Sequence, residues 1–321
     1  MNITVIGSGR WGCFIAWYLN KIGHHVTVCG RPDSENFKVL AKLRTNGTVK
    51  FDKHVLFTDD MALATAECNI IVVSINSQGL RCLMQQLSEF DMSGKTVVLC
   101  MKGLEIGSGL RLSQVTVQCL GNSVPVAVWV GPGHVQQFLK GVPNCMVIDS
   151  QNEAVTDFLI KQFSSELIRF YYGRDIIGSE IGAASKNVIG IAAGILDGLS
   201  LSSLKGALMS RGTREIARLI HDLGGNELSA YGLCHLGDYE ATLFSEFSHN
   251  RKYGQMYAKG EHFDKLAEGY YTAKAIIDLA KMQKTDLPIC RAVYDTLYNG
   301  IPPQKAVDSL FSRQLKDEFY I

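Results

Sequence analysis

The chain reads as an α/β unit built on a parallel sheet followed by an all-α unit, and three observations carry that reading. Apolar runs of strand length recur through the first half, separated by stretches long enough for a helix. The first run ends in a glycine-rich turn that opens into a helical pattern. Beyond residue 178 the β-rich runs stop and a 3.6-residue periodicity takes over. The expected units are residues 1–178 and 179–321.

In order, Asn2–Gly7 (NITVIG) is the first strand, a helical pattern runs through Leu19 and Ile22, and His25–Cys29 (HVTVC) is the second strand. Between the two strands stands Gly7-Ser8-Gly9-Arg10-Trp11-Gly12, a GxGxxG turn in the context a dinucleotide site requires. Gly7 permits the tight turn, Gly9 lets a pyrophosphate approach the backbone, and Gly12 lets helix and strand pack. The helix start offers free N–H groups and the positive end of its dipole to the phosphates. This is the mark of a Rossmann-like unit. Where an NAD site usually carries an acid at the end of the second strand, the chain has Cys29-Gly30-Arg31. Arg31 either meets a 2′-phosphate or is a solvated loop charge, with Asp33 and Glu35 nearby, so NAD and NADP both stay open.

Asn69–Ile75, Thr96–Cys100 and Val126–Val130 are three further strands, and Cys145–Ile148 and Ile168–Tyr172 extend the sheet. They end in polar or glycine-rich turns: Asn76-Ser77-Gln78, Met101-Lys102-Gly103, and Gly131-Pro132-Gly133-His134. Ligands of open parallel sheets bind at such carboxyl ends, which makes Lys102 a candidate contact.

In the second half the pattern gives helices at Gly182–Gly198, Leu204–Leu223, Gly254–Lys259, Tyr271–Gln283, Ile289–Asn299 and Gln304–Ser312, with a short segment at Asn226–Gly237. The first of these, GAASKNVIGIAAGILDG, is apolar and rich in small residues that let neighbouring helices approach, and it carries one lysine, Lys186. That lysine either snorkels to water or sits partly desolvated, its pKa drawn down into the range of a general acid/base. A polar cluster follows at His235-Leu236-Gly237-Asp238, Thr242 and Ser248-His249-Asn250-Arg251. It reads either as the wall of a substrate pocket, with Asp238 holding the charge of Lys186, or as a solvated loop in which Ser248 and Asn250 are N-caps.

Composition narrows the class. Hydrophobic residues at 46% and charged residues at 20% are ordinary for a globular protein. A net charge of +1 offers no argument for nucleic acid or an anionic membrane as partner. Nine scattered cysteines without a CxxC pair read as reduced thiols of the cytoplasm, not as a disulfide frame or a metal site. The start of the chain has no signal-peptide pattern, and Asp197 breaks the longest apolar run, which excludes a membrane-spanning helix.

These stretches together resemble the NAD(P)-dependent glycerol-3-phosphate dehydrogenases, in their bacterial form, along essentially the whole chain. The resemblance is carried by Gly7–Gly12, Asn76–Arg81 (NSQGLR), Lys102–Glu105 (KGLE), Gly131–Gly133 (GPG) and Glu180–Leu199 (EIGAASKNVIGIAAGILDGL). It continues through Ser210–Gly212, Leu236–Asp238, Asn250–Gly254, Ala267–Ala275 and Leu287–Gly300. It implies hydride transfer between NAD or NADP and dihydroxyacetone phosphate or sn-glycerol 3-phosphate, in a homodimer. Lys186 matches the catalytic lysine and Asp238 the acid beside it. Gly7, Gly9, Arg10, Trp11, Gly12, Arg31, Lys102, Val135 and Glu268 match cofactor contacts. Lys102, Gly131, Gly133, Thr242, Ser248, His249 and Asn250 match the substrate side.

Three departures accompany the resemblance. His249 stands where the family has an arginine that touches both substrate phosphate and cofactor, Gly133 replaces a serine, and His235 replaces a small or apolar residue. The imidazole is shorter than an arginine and cannot make a bidentate fork to phosphate. Either Lys102, Arg251 and the new histidines share the phosphate, or the substrate is a different small polar ketone or alcohol. A non-phosphorylated hydroxy acid and a catalytically idle NAD(P)-binding sensor are the remaining alternatives.

Overall fold

The computed structural model describes residues 1–315, 317 and 318. The first half forms strands β1 (Asn2–Ile6), β2 (His25–Cys29), β3 (Leu56–Thr58), β4 (Ile70–Val73), β5 (Thr96–Leu99), β6 (Val126–Val130), β7 (Asn144–Ser150) and β8 (Ile168–Tyr172). Helices α1 (Arg10–Lys21), α2 (Glu35–Leu43), α3 (Met61–Ala66), α4 (Leu80–Leu87), α5 (Leu112–Leu120), α6 (Val135–Leu139) and α7 (Glu153–Phe163) lie between them. The eight strands make one sheet in the order β3-β2-β1-β4-β5-β6-β7-β8. The pairings from β3 to β6 are parallel, whereas β7 is antiparallel to β6 and β8 runs with β7. The expected parallel sheet is thus present from β3 to β6, and its far edge departs from it only in the antiparallel pairing of β6 with β7. Between β6 and β7 the chain makes only the five-residue α6, and it returns antiparallel beside the strand it left. The edge strand β3 was not expected; at three residues, half exposed, it carries no alternation long enough to read.

Burial alternates along the central strands. Val72 and Val98 face the cluster built on Phe14, Tyr18, Trp129 and Phe163, while Ile71, Val73, Val97 and Leu99 face the one under α4 and α5. Both faces are covered, which is why these strands read as near-continuous apolar runs.

The second half is helical: α8 (Ile176–Gly198), α9 (Lys205–Asp222), α10 (His249–Ala258), α11 (Glu268–Gln283), α12 (Pro288–Tyr298) and α13 (Pro303–Phe311). The first helix starts at Ile176 rather than Gly182, because Ile176–Ile181 mixes glycine, serine and glutamate and shows no clear period. This places Lys186 about three turns inside the helix instead of at its start. The N-terminal part of α8 packs on the sheet through Ile176 and Ala183, and the remainder enters the helical core through Ile189, Ile191, Ala193 and Ile195. A buried ion pair ties it to the nucleotide half, Arg111 Nη1 to Glu180 Oε2 at 2.5 Å, while Ser113 N donates to Glu180 Oε1 at 2.8 Å. Thus α8 belongs to both cores.

The small residues of α8 do what the sequence suggested, most plainly against α10. A Cβ on Gly194 would lie 1.9 Å from the Arg251 carbonyl oxygen, and one on Gly254 would lie 2.1 Å from that of Ile191. The two backbones touch because neither carries a side chain at the crossing. Gly194→Ala should accordingly lower stability by about 1–3 kcal/mol despite the higher helix propensity of alanine. Gly206, in α9, has nothing within 4 Å of its Cβ position. There the same substitution should stabilise by about 0.5–1 kcal/mol. Thermal or urea denaturation of both variants checks the contrast, and equal effects would remove the packing account.

Candidate active site

The turns after β1, β4, β5 and β6 open at one edge of the sheet, opposite the middle of α8. Gly7 has φ 120°, and a Cβ there would lie 2.1 Å from Ser74 O. A Cβ on Gly12 would lie 2.1 Å from Gly7 O, whereas nothing stands within 4 Å of the Gly9 position. The turn is closed toward the sheet and open at Gly9. The first turn of α1 holds no acidic residue, and Gly9 provides no side-chain cap, which leaves its N–H groups for an anion. These residues fit a dinucleotide pyrophosphate. Arg31 is exposed and lies 3.6 Å from Asp33, an arrangement that a 2′-phosphate or a ribose would each have to compete with.

Across from this turn is a group of charges. Lys186 donates to Asp238 Oδ2 and, at 2.9 Å, to Thr242 Oγ1, which in turn donates to the Asp238 carbonyl at 2.7 Å. Lys102, from the turn after β5, donates to the same Asp238 oxygen at 2.6 Å and to Gly131 O at 2.8 Å. Asp238 is 1% exposed and Lys186 6%. Lys186 therefore does not snorkel to water. Its burial pulls the ammonium down to about 7; the Asp238 charge opposes this shift and the Lys102 charge adds to it. Thr242 rides on a π-helical turn, Glu240–Phe244, packed so close to α8 that a Cβ on Gly190 would lie 2.8 Å from its methyl group.

Asn250 is not an N-cap. Its amide nitrogen donates to Asn187 Oδ1 at 3.0 Å and its oxygen accepts from Gly269 N at 2.9 Å, joining α8, α10 and α11 beside Lys186. Ser248 is the cap of α10, accepting from Arg251 N at 3.3 Å. Glu268 opens α11 and reaches the nucleotide half, where Ser77 Oγ donates to its Oε2 at 2.6 Å. Burial pushes the Glu268 carboxyl up, with the Ser77 hydrogen bonds opposing. Val135, buried, opens α6 just past the Gly131–Gly133 turn. In the sequence Ser77 is only one residue of the turn after β4 and Asn187 only the neighbour of Lys186; the fold alone supplies their partners, Glu268 and Asn250.

The departures have local explanations. A Cβ on Gly133 would lie 2.7 Å from Phe138 and 3.2 Å from Trp11, so a serine there needs those rings to move. His235 does not reach the substrate side. It is fully buried, its Nδ1 donating to Gly182 O at 2.8 Å and its Nε2 accepting from Tyr239 OH at 2.6 Å, and burial drives its pKa down to about 4. Arg251 is engaged elsewhere in this structure. Its Nε donates to Asp197 Oδ2 at 2.6 Å, the oxygen that Lys205 holds at 2.7 Å, a full α8 half-length from Lys186. His134 lies 3.8 Å from Glu240. His249 turns its Nδ1 to Leu266 O at 3.2 Å.

The chain compares with known proteins over its whole length. The family model described as NAD-dependent glycerol-3-phosphate dehydrogenase N-terminus matches residues 2–156, and its C-terminal counterpart matches residues 175–308. A glycerol-3-phosphate dehydrogenase (NAD(P)+) of Pelodictyon phaeoclathratiforme is 35% identical over 335 residues, covering 99% of each chain. One from Thermoanaerobacter is 33% identical, covering 100% of this chain and 99% of its own. The crystal structure of glycerol-3-phosphate dehydrogenase from Coxiella burnetii superposes with a TM-score of 0.91 at 26% identity, over 97% of this chain and 99% of that one. A 2-dehydropantoate 2-reductase from Methylococcus capsulatus shares the fold at a TM-score of 0.62 and 16% identity. The sheet, the glycine turn and both family matches lead to one conclusion: the chain belongs to the NAD-dependent glycerol-3-phosphate dehydrogenase family.

Proposed function

We propose that the chain catalyses reversible hydride transfer between NAD(P)H and dihydroxyacetone phosphate, giving sn-glycerol 3-phosphate, with Lys186 as general acid/base. The observation that carries this reading is the buried Lys186 ammonium held by Asp238 and Thr242 opposite the glycine turn. The nicotinamide, when bound, supplies or accepts the hydride. During reduction negative charge grows on the substrate carbonyl oxygen, and Lys186 hydrogen-bonds that oxygen and donates the proton. During oxidation the neutral amine takes the hydroxyl proton. Asp238 keeps the lysine aimed and offsets the charge of the buried Lys186 ammonium and the half-buried Lys102 one. Asn250, held by Asn187 and Gly269, keeps an amide hydrogen for a substrate oxygen, and Lys102 and the Gly131–Gly133 turn border the same space.

The reading divides the chain at residue 178, with a nucleotide unit before it and a catalytic unit after. All nine cysteines are free thiols, which supports a reducing compartment, the cytoplasm. No helix among the described residues is long and apolar enough to cross a membrane. A homodimer is proposed from family membership and is checked by sedimentation.

Lys186→Ala should cut turnover of dihydroxyacetone phosphate by about a hundredfold or more while the NADH dissociation constant stays within about threefold. Turnover near that of the parent would overturn the assignment. The pH dependence follows from the sign of the shift. With the Lys186 pKa lowered to about 7, reduction needs the ammonium and should fall as pH rises through that value, whereas oxidation needs the amine and should rise. Opposite slopes of kcat/KM in the two directions are the expected result, and parallel slopes would mean that another group moves the proton.

A further inference from the structure

Asp238 meets Lys186 from the end of a short 3₁₀ turn, Leu236–Asp238, and the residue that opens this turn is His235. The Asp238 amide donates to the His235 carbonyl at 3.1 Å. The imidazole is fully buried, as is Tyr239 on the far side of Asp238. Its Nδ1 donates to Gly182 O at 2.8 Å, and its Nε2 accepts from Tyr239 OH at 2.6 Å with the two rings 4.8 Å apart. A carbonyl can only accept, so Gly182 O fixes the ring proton on Nδ1 and leaves Nε2 for the phenol.

These bonds bear on Lys186 from two directions. In α8 the Gly182 carbonyl is the helical partner of the Lys186 N–H four residues on, so the imidazole is fastened to the turn from which the lysine side chain departs. The fit there is tight, since a Cβ on Gly182 would lie 3.1 Å from that of His235. Three residues later Asp238 takes the ammonium itself. One segment thus grips the lysine at the base, through the helix backbone, and at the tip, through the carboxylate. Tyr239 holds the other side of the ring, its OH 3.4 Å from the Cβ position of Gly212 on α9. Burial keeps the imidazole neutral, drawing its pKa down to about 4; the facing Lys186 charge works in the same direction, while the Gly182 bond and the Asp238 charge oppose it. The ring adds direction beside the lysine without adding charge.

Resting on the activity proposed above, we infer that His235 is a positioning residue for the Lys186–Asp238 pair. Through its Nδ1–H bond to Gly182 it fixes where along α8 the Leu236–Asp238 turn sits, and with it the aim of the ammonium. Both ring nitrogens are taken by protein partners, so the imidazole itself handles no substrate proton. A proton donor displaced by about 1 Å can lose on the order of a hundredfold in rate, and a bond that sets its seat acts on turnover before it acts on binding.

The test compares His235→Leu, His235→Asn and His235→Gln in the full chain, by pH-dependent kinetics with dihydroxyacetone phosphate and NADH and by circular dichroism for folding. An asparagine amide nitrogen takes the place of Nδ1 and keeps the bond to Gly182; a glutamine amide takes the place of Nε2 and keeps only Tyr239. His235→Leu should lower kcat about tenfold to a hundredfold, with KM and the NADH dissociation constant each within about threefold. Its pH midpoint of kcat/KM should move down, because the Asp238 charge that raises the Lys186 pKa stands off while the burial and the Lys102 charge that lower it remain. His235→Asn should stay within about threefold of the parent in kcat, and His235→Gln should be impaired like His235→Leu. A purely space-filling role ranks the amides the other way, by size, and that ranking overturns the proposal. So do three variants that all match the parent, a loss of kcat with an unmoved midpoint, or failure of either amide variant to fold. If His235→Leu alone fails to fold, the two amides decide by their order and by the midpoint of His235→Gln. A parent without dihydroxyacetone phosphate turnover, or a Lys186→Ala variant that keeps it, overturns the activity reading and this role together; both controls holding while the His235 variants match the parent overturns this role alone.

Discussion

One carboxylate oxygen takes two ammonium groups that come from opposite halves of the chain. Lys102 leaves the end of β5, Lys186 leaves the middle of α8, and both end on Asp238. In water such an arrangement would contribute little, since each charge would be better solvated alone. Buried, it makes the relative position of the halves a condition for holding these charges together, because removing Asp238 leaves two ammonium groups side by side without a counter-charge. The same burial lowers the Lys186 pKa toward neutrality, so the feature that joins the halves also suits the lysine to the proton transfer proposed for it.

The rest of the helical half serves to deliver Asp238, Thr242 and Asn250 to that point. Glycines at the α8–α10 crossing let the backbones touch, which sets Asn250 beside Asn187 and the π-helical turn over Gly190. Behind that turn, Asp197 gathers Lys205 and Arg251, and these cations hold the carbonyls of Leu243, Phe244 and Ser245. Arg251 thus supports the π-helical turn that carries Thr242. The substituted positions are accommodated locally too: Phe138 and Trp11 occupy the space a serine at 133 would need, and His235 has become a core residue with both ring nitrogens bonded.

Local patterns were enough for the glycine turn, the strands β1, β2, β4, β5 and β6, and the order of the helices in the second half, whereas Asp238 beside Lys186 came with the family resemblance. Each rests on short-range rules: apolar runs for strands buried on both faces, glycines where a backbone or phosphate must approach, a lone lysine among small residues. The antiparallel return of β7, the start of α8 six residues before Gly182, and the three-residue β3 were not legible. Strand direction depends on where a connection lands, and an amphipathic period cannot be read through a glycine-rich first turn.

By itself the amino-acid sequence determined that the chain carries a glycine turn of dinucleotide-binding pattern and a single lysine flanked by small residues, because both are encoded within a single element. Which cations are free was decided only in three dimensions. Arg251 and His235 look like phosphate ligands in the linear chain, yet the fold gives each of them better partners in Asp197, Gly182 and Tyr239. Neighbours distant in sequence set the electrostatics of a site, and only packing brings them within reach.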